Sequence, residues 1–354
     1  MSMRPNLQSF AAALIALLLV AAACGDSGGE DLDEGAVNAL VECMSAAQAG
    51  VTSSLTEMYA TMSMSFPGDE PYAAYNDVPF GVATKVGDLV RIEVDRAAGA
   101  DAAGEDGDSG PADYPLLMVI EDDTRVYFNL GTFEDHGMPA DSPWLAGLDA
   151  ETLHDGGDLW GLVDLAEVDN APAYSWVHFA LHAIPGTDPL GEDVSRLLAL
   201  ALADGALLEA WSGERTQVMG VDTTPYSFVI DLVALSEIPE LVKSQGGDLW
   251  GFAASLSGSP GPLPIRYTVH LDDDDVDRRT VVEMDMGAIT IAAYAAVDDP
   301  DLMLSEEEMR ELAQIEFHYA VRLDTHSVDD PALSVTLPDP SRVIDLLPIP
   351  LFEF

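Results

Sequence analysis

Hydrophobic and polar residues alternate with a period of two along much of the chain, the pattern of strands with one wet face. In residues 89–95, Val90, Ile92 and Val94 share one side while Arg91 and Glu93 take the other. Residues 116–120, a turn at 121–124, and Val126, Phe128 and Leu130 form a hairpin pattern. Tyr226, Phe228, Ile230 and Leu232 alternate with Ser227 and Asp231. Ile265, Tyr267, Val269 and Leu271 alternate with Arg266, Thr268 and His270, and after an acidic turn Val282, Met284 and Met286 define a returning strand. Ile315, Phe317, Tyr319, Val321 and Leu323 alternate with Glu316, His318, Arg322 and Asp324. One-sided strands of this kind belong to an antiparallel sheet.

Helices are fewer. Val37, Leu40, Val41 and Met44 follow the i, i+3, i+4, i+7 spacing of an amphipathic helix around Cys43. In residues 193–203, Val194, Leu197, Leu198 and Ala201 form one stripe, with Gly205 as the stop. Residues 234–243 make a shorter candidate interrupted by Pro239. Ser305 and Glu308 have the spacing of a capping box opening a helix over 306–313. Two small, acidic segments read as unstructured: a tether within 24–35 and an insertion at 97–113 inside one domain, since strands continue on both its flanks. The hexapeptide GGDLWG occurs at 156–161 and 246–251, but nothing around the copies repeats, so it reads as coincidence or a shared loop-to-helix solution rather than a duplication.

The N-terminus reads as an export signal, residues 1–23. Arg4 precedes a ten-residue apolar run at 11–20, too short for a spanning helix of about 20 residues, and three alanines at 21–23 meet Cys24. A cysteine directly after small residues resembles the lipobox of bacterial lipoproteins, in which a diacylglyceryl group is attached to that thiol. Ala21 stands where leucine is usual; an ordinary secretory peptide with an incidental cysteine is the alternative. The expected location is therefore extracytoplasmic, on the outer face of the cytoplasmic membrane, anchored by Cys24. With Cys24 acylated no intramolecular disulfide forms, and Cys43 reads as a buried, inert thiol.

Charge narrows the partners further. The 354 residues carry 63 acidic and 14 basic groups, a formal −49, with Lys85 and Lys243 the two lysines. Nucleic-acid binding, which depends on Lys and Arg displacing counterions, is excluded as a function class. Adsorption to anionic headgroups through a basic patch is disfavoured too, and the charge should hold the domain off an anionic membrane. With 48% hydrophobic residues the chain builds a core.

Catalytic and metal-binding look-alikes are weak. GDSGG at 25–29 mimics a serine-protease nucleophile loop, but it sits in the tether and no histidine precedes it. His178 and His182 have metal-pair spacing without a third ligand nearby, and read as surface or core histidines. The acidic run Asp272, Asp273, Asp274 and Asp275 with Asp277 lacks the glycine and closing glutamate of a calcium loop, and reads as a solvated hairpin turn. No catalytic residue, cofactor or metal is expected.

Several stretches resemble actinobacterial lipoproteins of the LppX and LprG type, relatives of the LolA-like lipid carriers. GERTQVMGVDTTPYSFVIDLVAL, at 213–235, looks like their G-E-x-V-x-G-x-x-T-T-x-Y stretch, and LPIRYTVHLDDDDVDRRTVVEMDM, at 263–286, is similar to the hairpin that follows it. Trp144 after the hairpin containing Tyr127, the run at 188–201, and VTLPDPSRVIDL at 335–346 fall in the family's order. The chain departs from the pattern in its length, its insertion, the helix at 306–313 and its acidity.

The resemblance implies an α+β fold: a curved antiparallel half-barrel with helices packed on its concave face, spanning 36–354 as a single domain. It also implies a lipid-binding or carrying lipoprotein whose partners are the acyl chains of a lipid or glycolipid, held in an apolar cavity without catalysis. The apolar faces of the central strands supply the lining candidates Met118, Phe128, Phe228, Ile230, Val282 and Met284, with Trp144 near a rim. Aliphatic residues lining a pocket and filling a core look alike in sequence, so a solid sheet-and-helix core stays open. The other function class is a non-catalytic envelope scaffold or sensor acting through its acidic surface.

Overall fold

The structure, a computed structural model, describes residues 30–65, 72–94, 116–122, 125–130, 159–164, 194–238, 261–296, 310, 312 and 314–345. Its strands are β1 (Ser53–Ser65), β2 (Tyr72–Val86), β3 (Leu89–Val94), β4 (Leu116–Glu121), β5 (Arg125–Asn129), β6 (Trp160–Asp164), β7 (Leu207–Ser212), β8 (Thr216–Val218), β9 (Val221–Asp231), β10 (Pro264–Leu271), β11 (Asp277–Asp285), β12 (Glu316–His326) and β13 (Val343–Asp345). They form one open sheet in the order β13-β6-β5-β4-β3-β2-β1-β12-β11-β10-β9-β7, with β8 paired to β9. The helices are α1 (Glu34–Gly50), α2 (Val194–Ala203), α3 (Leu232–Ser236) and α4 (Met286–Ala296). The class is α+β. The sheet is mixed rather than purely antiparallel, because β13 pairs with β6 in parallel.

Local chemistry sets the boundaries. The Asp33 carboxylate accepts from the Ala36 N–H and opens α1. At the end of β9 the Asp231 carboxylate accepts from the N–H groups of Val233 and Leu263, which turns the strand into α3. Gly205, at φ 73°, closes α2, and the Ala206 N–H reaches back to the Ala201 carbonyl. The β8–β9 turn places Met219 and Gly220 at φ 50° and 84°, as a tight two-residue hairpin requires.

Three expectations need correction. Met286 does not continue β11; the Asp285 carboxylate accepts from the Ala288 N–H, so Met286 begins α4. Residues 30–33, expected to be unstructured within 24–35, are paired. The Leu32 N–H donates to the Ala210 carbonyl and the Ser212 N–H to the Glu30 carbonyl, so residues 30–33 lie along the β7 edge. The long central strands β1 and β2 were not expected at all. The signal segment, the insertion at 97–113 and all of the 306–313 helix except 310 and 312 lie outside the described residues.

The core lies under α1, α2 and α3. Val37, Leu40, Val41 and Met44 of α1, Leu198 and Ala201 of α2, and Leu235 of α3 pack with Tyr226, Phe228, Ile230, Val269 and Leu271 of the sheet. A smaller cluster joins Leu263 and Ile289 to Met284 and Met286.

Candidate functional site

Residues directly opposite on neighbouring strands share a face, so register shows which side chains can form one surface. One row runs Ile230, Ile265, Met284, Tyr319, Met62. The next runs Phe228, Tyr267, Val282, Val321, Ala60, and a third runs Tyr226, Val269, Thr280, Leu323, Met58, Gly81. Two residues on from Gly81, the same face continues through Ala83, Ile92, Met118 and Phe128. The sheet therefore has one apolar face from β7 to β6. Gly81 is required there, since a Cβ would lie 2.6 Å from the Met58 Cε and 2.8 Å from the Glu93 carbonyl oxygen.

Six of the seven lining candidates fall on this face, and Trp144 lies outside the described residues. They differ in exposure. Met118, Phe128, Phe228 and Ile230 are at most 1% exposed, and Val282 is 7% exposed. Side chains with no accessible surface fill space rather than border it. Around Met284 the face is less complete: Met62, Met64, Met284, Phe317 and Tyr319 are all half-buried, with Met64 opposite Phe317. Tyr267 combines two properties. Burial pushes its phenol up to about 12, yet part of its surface stays accessible. Sequence reasoning named Met284 but missed Met62 and Met64, which lie on the unexpected β1.

The opposite face is polar and its charges are spent on one another. Arg279 grips Asp324 with Nε and Nη2 at 2.5 and 2.9 Å, and the Arg322 Nε lies 3.2 Å from the same carboxylate, which is 4% exposed as a residue. Arg322 also reaches Asp77 at 2.5 Å and sits 4.2 Å over the Tyr59 ring. The Tyr59 hydroxyl donates to Glu57 at 2.7 Å, and His326 Nε2 lies 3.0 Å from the same carboxylate. His270, opposite Arg279, is lowered to about 4 by burial first and by the Arg279 charge second. Asp277 is raised to about 6 by burial, against bonds from the Thr280 hydroxyl and the Arg279 N–H.

The acidic turn after β10 is held by its first residue. The Asp272 carboxylate accepts from the N–H groups of Asp274 and Val276 and from Arg278 Nε at 2.7 Å, while Asp273 pairs with Arg215. Among the described residues no group of three His, Cys, Asp or Glu is placed to hold a metal ion. His178, His182, residues 25–29 and Cys24 lie outside the described residues. Cys43 is disulfide-bonded rather than the inert thiol expected, and since the chain's one other cysteine is Cys24, acylation of Cys24 would leave Cys43 a thiol.

No protein-family model matches the chain, and no curated protein matches it. Several solved structures are similar to it, among them the following three. Lipoprotein LppX of Mycobacterium tuberculosis is 10% identical, with 86% of this chain and 100% of that one covered and a TM-score of 0.38. LprF of Mycobacterium bovis is 13% identical over 86% of this chain and 96% of its own, at a TM-score of 0.32. A DUF1329 family protein of Desulfovibrio piger is 11% identical over 87% and 97%, at 0.24.

Proposed function

We propose that the chain is a cell-envelope lipoprotein, acylated at Cys24 and held at the outer face of the cytoplasmic membrane, that binds lipid acyl chains against its apolar sheet face without catalysing a reaction. The observation that carries this reading is the half-buried strip of Met62, Met64, Met284, Phe317 and Tyr319, next to Tyr267 on the apolar sheet face. Flexible methionine side chains adapt to the shape of a chain laid against them, and an incompletely covered apolar strip is the kind of surface an acyl chain would cover. A sixteen-carbon chain is worth on the order of 13 kcal/mol against water, at about 0.8 kcal/mol per CH₂. A bilayer offers nearly the same gain, so exchange is close to balanced, as a carrier needs.

The test is lipid co-purifying with a Cys24→Ser protein, read by mass spectrometry, with uptake of a fluorescent acyl probe beside it. Met62→Trp fills a half-buried position and should abolish uptake while the fold survives. Ile230→Trp overpacks the covered core and should destabilise by about 1–3 kcal/mol. A protein that carries no lipid, takes up no probe and is merely destabilised by both changes would be the envelope scaffold instead.

A further inference from the structure

Between β12 and β13 the chain leaves the sheet and crosses it. The Asp329 N–H donates to the Ser53 carbonyl at the start of β1, and Val343 lies opposite Trp160 on β6, five strand spacings away or about 24 Å. Connections of this length without secondary structure are uncommon in compact domains, and many of them are binding segments. This one is extended, since residues 333–339 make neither turn nor bend. Its sequence has a strand's pattern, with Leu333, Val335 and Leu337 alternating with Ser334 and Thr336 between Pro331 and Pro338. No strand pairs with it. Among the described residues the backbone N–H and C=O groups of Ser334, Val335, Thr336 and Leu337 have no hydrogen-bond partner in the protein. Ser334, Thr336 and Leu337 are exposed, and Leu337, at 40%, is one of three large apolar side chains so placed among the described residues.

Charge brackets the run. Asp329 and Asp330 precede it and Asp339 follows it. Asp329 accepts from the Thr52 N–H and hydroxyl, Asp330 from the Ala332 N–H, and Asp339 from the Ser341 N–H and hydroxyl. Among the described residues none of the three carboxylates has an ion pair, whereas Asp77 and Asp324 on the polar sheet face are held by arginines. We propose that residues 334–337 are a docking strand for an extended, cationic segment of another protein, which pairs with the unused backbone groups as a β-strand and sets Lys or Arg against the aspartates at the ends of the run. Main-chain bonds supply the affinity and the flanking charges choose the partner. A second copy of this chain fits worse, because antiparallel pairing of two such runs would set aspartates against aspartates in molecules of formal charge −49. Docking here is independent of acyl binding on the sheet face.

The probe is a synthetic peptide, Lys-Lys-Val-Thr-Val-Thr-Lys-Lys, mixed with the full chain carrying Cys24→Ser. Hydrogen exchange should show new protection of the amides of residues 334–337, and binding should weaken as salt rises. The same peptide N-methylated at its four central residues keeps its charge but has no N–H groups for a ladder, and should bind about tenfold more weakly. Val335→Pro and Thr336→Pro remove N–H groups from opposite edges of the run, and the one on the docking edge should weaken binding about tenfold while its urea midpoint stays level, because the fold uses neither group. No binding of the peptide, equal binding of its N-methylated form, unchanged binding by both proline variants, or protection confined to other segments overturns docking at this run. Equally tight binding of a peptide with Glu in place of every Lys overturns the cationic partner. Protection of 334–337 that appears on concentrating the protein without peptide assigns the run to a second copy and overturns the proposal in the same way.

Discussion

His270 should make the stability of the protein depend on pH in a way that one substitution removes. It stands on β10 opposite Arg279, whose guanidinium is held by Asp324, and its Nδ1 is a buried nitrogen without a hydrogen-bond partner. Burial and then the Arg279 charge lower its pKa from 6.5 to about 4, with Asp324 opposing them. Between those values the unfolded chain holds the proton and the folded chain does not, so this group's contribution is complete above about pH 6.5 and is lost as pH falls toward 4. At 1.36 kcal/mol per pKa unit the full loss is about 3 kcal/mol, of which about 2 kcal/mol is gone by pH 5. Asp277 works the other way, since its pKa is raised from 3.8 to about 6 and protonation over that window favours the fold. The two effects overlap with opposite sign, so the parent protein alone isolates neither. His270→Gln removes one of them. Urea unfolding of both proteins at pH 7.5 and pH 5 should show the stability difference, parent minus variant, falling by about 2 kcal/mol at the lower pH. A difference that stays constant would refute the reasoning, because every other carboxylate cancels between the two proteins.

Asp324→Ala leaves Arg279 and Arg322 without their shared carboxylate, and urea unfolding should show a loss of about 3 kcal/mol, at the low end for a broken buried pair because those side chains keep 27% and 24% of their surface in water. Gly81→Ala drives a Cβ to 2.8 Å from the Glu93 backbone oxygen, which cannot swing away as Met58 can, so about 1–3 kcal/mol should be lost and Met58→Ala should not restore it fully. A thioether on Cys24 cannot share its sulfur with a disulfide, and the sequence has two cysteines. In membrane-bound mature protein Cys43 should therefore alkylate in denaturant without reductant; alkylation only after reduction would sink the lipid anchor.

How far the sequence reveals this fold varies with the residue chemistry of each element. β3, β9, β10 and β12 alternate strong β-formers such as Val, Ile, Tyr and Phe with polar residues, and their faces follow directly from that alternation. β1 alternates too, but with Met58, Ala60, Met62 and Met64, residues with weaker strand preference. β2 carries Asn76, Asp77, Pro79 and Gly81, which read as turn signals, and its register slips at three places against β1. Pairing with β1 and β3 overrides those local signals. The six described lining candidates share one face of the sheet, yet the covering of Phe228 and Ile230 depends on the docking of α1, α2 and α3, a long-range fact no local pattern carries.

The pinning of residues 30–33 to β7 fixes how the molecule hangs. From Cys24 to Glu30 the chain advances six residues, so an acyl anchor there would be a leash of about 20 Å at full stretch. Screening acts over about 8 Å at physiological salt, so repulsion between the acidic domain and an anionic bilayer fades before the leash runs out and grows when it slackens. Charge then keeps the domain off the bilayer at short range and leaves it free to move over the rest of the leash. The domain would hang within reach of the membrane, suspended from one sheet edge.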